Sequence, residues 1–387
     1  MRVLLAFDKF KDSLSAQEAC NFAAAALREK HRDWQLDLCP LADGGEGFCS
    51  ILTAAAGGQV IGSSVHDPLG DKVQAQLGIV QLSRVPAAAR ALLNLPAITS
   101  ARPPTIGVIE MASASGLALL APEERDPWQT STFGTGELIR TATDLNVSAI
   151  LLGVGGSATS DLGLCALSAL GLDFVTAKGE RVADPIPARW REINRIGGSI
   201  TPPVPPIRIA CDVTNPLLGP RGAAATYGPQ KGLKPADLAH LDHESARLGL
   251  LLCDHSHVPH SLVDTPGAGA AGGISFGLMA AAGAKLLPGF DLVSSWLDLE
   301  ARLAAADLVI TGEGRFDDTS LQGKGPGAVA ARALALGKPV HVFAGSATVT
   351  TPPAKLALHS ITPAGTPLEQ ALRQATTFLT KSVREAF

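Results

Sequence analysis

Short apolar runs that end in glycine turns carrying acids are the sequence feature that most constrains the fold of this chain. The run at residues 307–310 leads directly into a turn at residues 311–315 that contains two glycines, a glutamate and an arginine. Similar runs of strand length at residues 3–6, 149–152 and 207–210 also end in glycine or aspartate. Functional groups that follow the ends of strands are typical of α/β proteins with parallel sheets. The pattern therefore predicts an α/β fold with its chemistry at the strand ends.

Helical segments between these runs indicate that the strands are parallel. Residues 16–30 have helical character, and Ser15 followed by Glu18 predicts a capping box at the start of that helix. Near the other end, the Ala- and Leu-rich residues 327–336 separate two further strands, the second at residues 339–343. Strand and helix thus alternate at both ends of the chain, which predicts a parallel sheet there.

The chain length of 387 residues exceeds that of one ordinary core and indicates about two domains. The middle of the chain differs in composition from the ends and carries its own pattern of strand, glycine turn and helix at residues 148–170. We therefore predict a discontinuous α/β domain with a Rossmann- or flavodoxin-like sheet, made of residues 1–65 and 285–387. A second α/β domain, residues 66–284, is predicted to be inserted into it.

Charge and composition narrow the class of partner. The formal net charge is −4 and no basic run stands out, so we expect a small-molecule substrate and no nucleic-acid partner. Residues 265–284 lack charge, but their glycines and a proline deprive them of the apolar bulk of a membrane span, and no membrane partner is expected. The six cysteines contain no C-x-x-C pair, which favours reduced thiols and a cytoplasmic location.

Glycine, carboxylate and lysine recur together at the predicted strand ends, and this combination favours phosphoryl transfer from a nucleotide. Glycine lets backbone amides approach an anion, lysine neutralises the anion, and a carboxylate can hold the metal that accompanies a polyphosphate. The Walker A motif and the protein-kinase H-R-D and D-F-G motifs are absent from the sequence. A kinase of another lineage is therefore expected.

Each motif also has an alternative interpretation that the residues alone leave open. The turn at residues 43–47 could face an anion or lie plainly on the surface. The turn at residues 153–157 could present amides to a phosphate or could be a tight packing turn. Asp212 could be a general base or a helix cap, and Lys231 could bind a ligand or be a solvated loop lysine.

Several blocks, in order along the chain, resemble those of the bacterial class I glycerate kinases. They lie at residues 8–16, 41–47, 109–117, 131–138, 155–159, 211–217, 228–232, 266–273 and 311–315. The resemblance implies ATP- and Mg²⁺-dependent phosphorylation of D-glycerate to 2-phosphoglycerate. It also implies two α/β domains, one of them discontinuous, with the active site in the cleft between them. Asp12 departs from the pattern, because family members commonly have glycine there.

The candidate site residues follow from these motifs and from the needs of the substrates. Glycerate carries a carboxylate beside two hydroxyls, so its pocket needs cations and hydrogen-bond partners. We expect catalytic roles for Asp212, which would accept or orient the hydroxyl proton, for Lys11, which would contact phosphate, and for Asp43. Substrate binding is assigned to Lys9, Lys231, Arg315 and Asn215; nucleotide binding to Gly44, Gly45, Gly155, Gly156, Ser157, Gly312 and Gly314; and Mg²⁺ binding to Asp43, Glu46 and Glu313.

Other functions remain open at this stage. A glycerate 3-kinase would give 3-phosphoglycerate, and a non-catalytic sensor would bind a sugar acid or nucleotide without releasing ADP. A Rossmann-type dehydrogenase would explain the glycine turns, but the dinucleotide fingerprint is incomplete. The expected partners are D-glycerate and ATP, and a homodimer stays open.

Overall fold

The computed structural model describes residues 1–97, 102–321 and 325–387, which divide into two compact units. The terminal unit consists of Met1–Asp43 and Val293–Phe387, and the inserted unit is Gly44–Leu292. Residues 44–65 and 285–292 thus belong with the inserted unit, whereas the sequence analysis assigned them to the discontinuous domain. The physical reason is strand pairing, because residues 59–66 and 285–287 form strands that hydrogen-bond within the sheet of the inserted unit.

The strands and helices alternate along most of the chain. The strands are β1 Arg2–Phe7, β2 Gln35–Leu38, β3 Gln59–His66, β4 Lys72–Gln81, β5 Thr105–Glu110, β6 Ala149–Gly153, β7 Leu172–Val175, β8 Arg195–Gly198, β9 Ile207–Ala210, β10 Lys285–Leu287, β11 Leu308–Gly312, β12 Arg315–Asp317, β13 Val340–Ala344, β14 Ser346–Thr348 and β15 Leu356–Ser360. The helices are α1 Ala16–Lys30, α2 Phe48–Ala55, α3 Ala87–Leu93, α4 Ala112–Ser115, α5 Phe133–Asp144, α6 Leu164–Leu170, α7 Ala223–Tyr227, α8 Leu238–Ser256, α9 Ile274–Ala282, α10 Gly289–Trp296, α11 Leu299–Ala305, α12 Asp318–Leu321, α13 Pro326–Ala335, α14 Leu368–Arg373 and α15 Ala375–Ala386.

The terminal unit is built on a parallel sheet with the strand order β15-β13-β11-β1-β2. Its strands are apolar because helices cover them, and α1 and α15 contribute Leu27, Leu379 and Val383 to the core. Helix α1 begins with the capping box of Ser15 and Glu18, which confirms that prediction. The predicted α/β fold with parallel sheets is likewise confirmed.

The inserted unit is built on a mixed sheet with the strand order β10-β9-β6-β5-β4-β3. Strands β10, β9, β6 and β5 are parallel, and β4 and β3 continue the sheet in antiparallel fashion. The register pairs Glu110 with Gly153 and Gly153 with Ala210, so the turns that follow these residues leave the same edge of the sheet. Within the described ranges, no helix has both the length and the apolar character needed to cross a membrane.

Candidate functional site

A cavity of about 790 Å³ lies at the carboxyl ends of β1, β11 and β13 in the terminal unit. Its lining includes residues 8–13 after β1, residues 313–315 after β11, and Gly345 and Ser346 after β13. The sheet brings these segments together, because Phe7 is paired with Gly312 and the amide of Asp8 donates to the carbonyl oxygen of Gly312 at 3.0 Å. This edge is where parallel sheets commonly bind ligands.

Carboxylates gather around Glu313 in this cavity. Burial is the main reason that the pKa of Glu313 is raised to about 7, and the negative charges of Asp8, Asp317 and Asp43 raise it further, against a hydrogen bond from Ser320. Removing a proton from Glu313 therefore brings another negative charge into an acidic surrounding. A cation at this point would relieve the repulsion.

Cationic side chains line the same cavity. The Nζ of Lys9 lies 3.3 Å from the Oδ1 of Asp43, and Lys11 and Arg315 also reach the cavity surface. The Nε of Arg315 lies 3.1 Å from the Oδ2 of Asp317. The structure thus collects six of the predicted residues in one cavity: Lys9, Lys11, Asp43, Glu313, Gly314 and Arg315.

Asp8 also lines the cavity, although the sequence analysis did not choose it as a site residue. It is 9% exposed, and its Oδ1 accepts a hydrogen bond from the amide of Lys9 at 2.7 Å. Its place directly after the first apolar run was the signal that could have identified it. The same signal led to Glu313 after β11.

The turn after β1 places Asp12 in a backbone conformation that suits glycine. The amide of Phe10 donates to the carbonyl oxygen of Leu14 at 2.8 Å, which closes the turn. Asp12 has a φ of +61°, in the left-handed region that glycine adopts without steric cost and that aspartate tolerates better than most residues. The departure from glycine therefore leaves the turn conformation possible at some cost in strain.

Gly312 has a packing role at the end of β11. A Cβ atom at this position would lie 1.8 Å from the carbonyl oxygen of Phe343 on the neighbouring strand. No side chain fits there without displacing β13. The close approach of the neighbouring strand therefore requires glycine at position 312, independently of any contact between its backbone and a ligand.

In the inserted unit, the glycine-rich residues 44–47 pack against the turn at residues 153–157. Gly44 has a φ of +92°, and its carbonyl oxygen accepts a hydrogen bond from the amide of Gly155 at 2.9 Å. A Cβ atom on Gly155 would lie 2.8 Å from the backbone nitrogen of Gly45. The Gly155 amide thus has a partner inside the protein, which supports the packing alternative for this turn.

Lys231 is buried and stabilises the turn that contains Ser157 through two hydrogen bonds. The lysine is 1% exposed, and its Nζ donates to the Oγ of Ser157 at 2.9 Å and to the carbonyl oxygen of Thr159 at 2.6 Å. Burial lowers the pKa of Lys231 to about 7, against the opposing charge of Asp161. The alternative of a solvated loop lysine is wrong, because these two acceptors hold the ammonium group inside the unit.

The side chains of Asp212 and Asn215 take part in the local structure after β9. The Oδ2 of Asp212 accepts from the amide of Phe290 at 2.8 Å near the start of α10, as a helix cap does. The Nδ2 of Asn215 donates to the carbonyl oxygen of Arg221 at 2.7 Å, and its Oδ1 accepts from the hydroxyl of Tyr227 at 2.7 Å. Both predicted site residues therefore shape the loop between β9 and α7.

The predicted metal ligands do not form a ready-made cluster. Across residues 1–97, 102–321 and 325–387, no group of three His, Cys, Asp or Glu side chains is arranged to hold a metal ion. Asp43 and Glu313 lie in the terminal unit, whereas Glu46 belongs to the inserted unit. Mg²⁺ usually takes one or two protein carboxylates and completes its shell with phosphates and water. The hard oxygen donors of Asp43 and Glu313 fit that requirement.

Comparison with known proteins gives one consistent family. The sequence pattern described as "Glycerate kinase family" matches residues 3–387. Glycerate 2-kinase of Escherichia coli (strain K12) is 39% identical over 354 residues, which covers 90% of this chain and 86% of that protein. Glycerate kinase of Bacillus subtilis (strain 168) is 35% identical over 391 residues, with 100% and 96% covered. A crystal structure from Salmonella typhimurium LT2, provisionally named glycerate kinase 2, superposes with a TM-score of 0.76 at 37% identity and covers 100% of this chain and 97% of that one.

Proposed function

Because the chain belongs to the glycerate kinase family and is therefore a kinase, we propose that it transfers the γ-phosphoryl group of ATP to O2 of D-glycerate and releases 2-phosphoglycerate. The observation that carries this proposal is the cavity of the terminal unit, where Lys9, Lys11 and Arg315 meet Asp43 and Glu313. The choice of O2 is supported by the Escherichia coli relative, which is named glycerate 2-kinase. The Bacillus subtilis relative is named glycerate kinase, without specifying the oxygen.

Phosphoryl transfer needs positioning and charge neutralisation more than covalent chemistry. Lys11 supplies positive charge for the phosphates, and Lys9 and Arg315, predicted above to bind glycerate, lie in the same cavity with charge that suits either a carboxylate or a phosphate. Asp43 and Glu313 are the proposed holders of Mg²⁺, which when bound would neutralise the phosphate oxygens during transfer. Binding of a divalent cation would also hold Glu313 in its ionised form despite its raised pKa.

The remaining predicted roles stay proposals within the same reaction. Asp212 is the proposed group that accepts or orients the hydroxyl proton, and Asn215 and Lys231 are the proposed substrate-binding residues of the inserted unit. Glu46 is proposed to reach Mg²⁺ through water. The cysteines Cys20, Cys39, Cys49, Cys165, Cys211 and Cys253 are all free thiols, which supports the proposed cytoplasmic location.

A coupled assay tests the proposal. The purified protein is incubated with ATP, Mg²⁺ and D-glycerate, and enolase is added without phosphoglycerate mutase so that only 2-phosphoglycerate gives phosphoenolpyruvate. We expect an absorbance signal that depends on glycerate. ADP release that yields phosphoenolpyruvate only after the mutase is added would assign a glycerate 3-kinase. Binding of glycerate or ATP with no glycerate-dependent ADP would indicate the sensor.

A matched pair of lysine variants links the activity to the cavity. Lys11→Met removes a cation from the cavity surface, and we expect kcat/KM to fall by roughly 100-fold or more, since the cation stabilises charge in the transition state. Lys178→Met removes an exposed lysine from the inserted unit and is expected to leave kcat/KM unchanged. Equal activity of the two variants would contradict the proposed role of Lys11.

A further inference from the structure

The cavity of the terminal unit has two chemically different halves. One half carries the charged residues described above, which are Asp8, Lys9, Lys11, Asp43, Glu313 and Arg315. The other half is formed by the C-terminal segment between the end of β15 and the start of α15, from which the sequence analysis assigned no site. This segment presents the aliphatic side chains of Ile361, Leu368, Ala371, Leu372 and Ala375 to the cavity.

We infer that this cavity is the nucleotide site of the kinase, with the phosphates at the charged half and the adenosine against the aliphatic wall of residues 361–375. The inference rests on the proposed function, because it takes a nucleotide as the phosphoryl donor, and it deepens that function by naming where the nucleotide binds. With a divalent cation at the carboxylates, the charged half suits an anionic group beside Lys9, Lys11 and Arg315, and the other half suits a broad, uncharged surface.

The size and chemistry of the cavity favour a nucleotide over glycerate. A volume of about 790 Å³ lies within the range of small-molecule and cofactor sites, which is roughly 300–1,000 Å³. Glycerate is a three-carbon acid with hydroxyls on two carbons, and it offers no apolar surface that could cover the wall. The flat face of a purine supplies such a surface, while the triphosphate meets Lys9, Lys11 and Arg315.

The exposure of Leu368 supports the same occupant. Leu368 is the first residue of α14 and is 74% exposed, the highest value among the exposed large hydrophobic side chains of the described residues. Covering an exposed leucine with an apolar ligand is favourable, because apolar surface is then removed from water. Its neighbours on the wall are more enclosed, since Ile361 is 6% exposed and Ala375 is also 6% exposed. The wall is therefore a formed surface with one exposed side chain at its edge.

We expect the wall to bind the base of the nucleotide with little selectivity among different bases. The Oγ1 of Thr366 donates to the carbonyl oxygen of Pro363 at 2.8 Å, and the Oγ of Ser360 contacts the carbonyl oxygen of Gly345 at 3.4 Å. These two hydroxyls are thus directed at backbone acceptors next to the cavity. Since an aliphatic surface discriminates weakly among ligands of similar shape, the contact with the base is mainly one of apolar area.

Leu368→Asp tests this inference, and Leu336→Asp is its control. Both leucines are exposed in the terminal unit, and Leu336, which is 48% exposed at the end of α13, is not among the residues that line the cavity. Aspartate in the first turn of α14 favours the helix dipole, so Leu368→Asp is expected to keep the fold, which the melting temperature checks. The negative charge would oppose both the apolar contact and the nearby phosphates.

The readout is the Kd for ADP with Mg²⁺, measured by calorimetry, together with the KM values for ATP and D-glycerate. We expect Leu368→Asp to raise the Kd for ADP and the KM for ATP by about tenfold and to change the KM for D-glycerate by less than about twofold. Leu336→Asp should leave all three values unchanged. An unchanged Kd for ADP in Leu368→Asp, or a rise confined to the KM for D-glycerate, would overturn the inference.

Calorimetry also separates this inference from the proposed function. If the wild-type chain binds ADP and loses affinity in Leu368→Asp, the nucleotide site stands even where no glycerate-dependent ADP release is found. If glycerate is phosphorylated normally and ADP affinity is the same in both variants, the proposed function stands and the nucleotide site is wrong.

Discussion

Replacing Lys231 by methionine should change the pH dependence of stability of the inserted unit. The pKa of Lys231 is lowered by burial from 10.5 to about 7, so the folded state binds fewer protons than the unfolded state between these values. Stability therefore rises with pH across this window and is lost as the pH falls back toward 7. Methionine has no proton to bind, so Lys231→Met should lack this contribution.

The size of the effect follows from the two pKa values. A shift from 10.5 to about 7 corresponds to at most about 5 kcal/mol at about 1.4 kcal/mol per pKa unit. The difference between the two proteins grows steadily as the pH rises. Between about pH 7 and pH 9.5, the wild-type free energy of unfolding should increase by about 3 kcal/mol relative to that of Lys231→Met. Below about pH 6 the two curves should run parallel, because Lys231 is then protonated in both states.

Urea unfolding at several pH values measures this difference. A background in which Trp34 and Trp296 are replaced by phenylalanine leaves Trp128 and Trp190, which both lie in the inserted unit, as fluorescence reporters. Lys178→Met, at an exposed lysine of the same unit, is the control and should follow the wild-type pH dependence. Parallel curves for wild type and Lys231→Met between about pH 7 and pH 9.5 would refute the buried position of the ammonium group.

Three further predictions concern single side chains. The free energy of unfolding of Asp12→Ala, measured with urea, should be about 1 kcal/mol lower than that of Asp12→Gly, because the φ of +61° suits glycine and strains alanine. Burial beside His359 lowers the pKa of His341 to about 4, so the free energy of unfolding of the terminal unit should fall as the pH drops from 6.5 toward 4. The loss should be roughly 1–2 kcal/mol after allowance for solvent, and His341→Gln should flatten it in acid urea titrations. Asp212→Asn keeps an acceptor for the amide of Phe290 but removes the base, so kcat should fall by roughly 100-fold at an unchanged melting temperature; near-normal turnover would eliminate that role.

Local sequence signals predicted the secondary structure of the terminal unit well. Helix α1 was expected at residues 16–30 and is observed at Ala16–Lys30, since its capping box and apolar spacing lie within the segment itself. The strand expected at residues 339–343 is observed at Val340–Ala344. The domain boundary depended on more distant contacts. Strand β3 belongs to the inserted unit because it pairs with β4, and no local pattern distinguishes that partner from another sheet.

The candidate site was predictable where residues directly follow strands. Glu313 and Lys11 were chosen in this way, and both line the cavity because parallel neighbouring strands deliver their turns to one edge. The burial of Lys231 was not predictable, since its acceptors on Ser157 and Thr159 are more than 70 residues away in the chain. The wall at residues 361–375 was missed for another reason, because aliphatic side chains that line a cavity have the same sequence signature as core residues.

The position of the phosphoryl group in the product tests the proposed activity most directly. After incubation of the protein with ATP, Mg²⁺ and D-glycerate, phosphorus NMR with proton coupling distinguishes the two products without auxiliary enzymes. A phosphate on O2 couples to the single methine proton and gives a doublet, which is the result we predict. A triplet from the two methylene protons would place the phosphate on O3, and the absence of any new glycerate-dependent phosphate ester would contradict glycerate kinase activity.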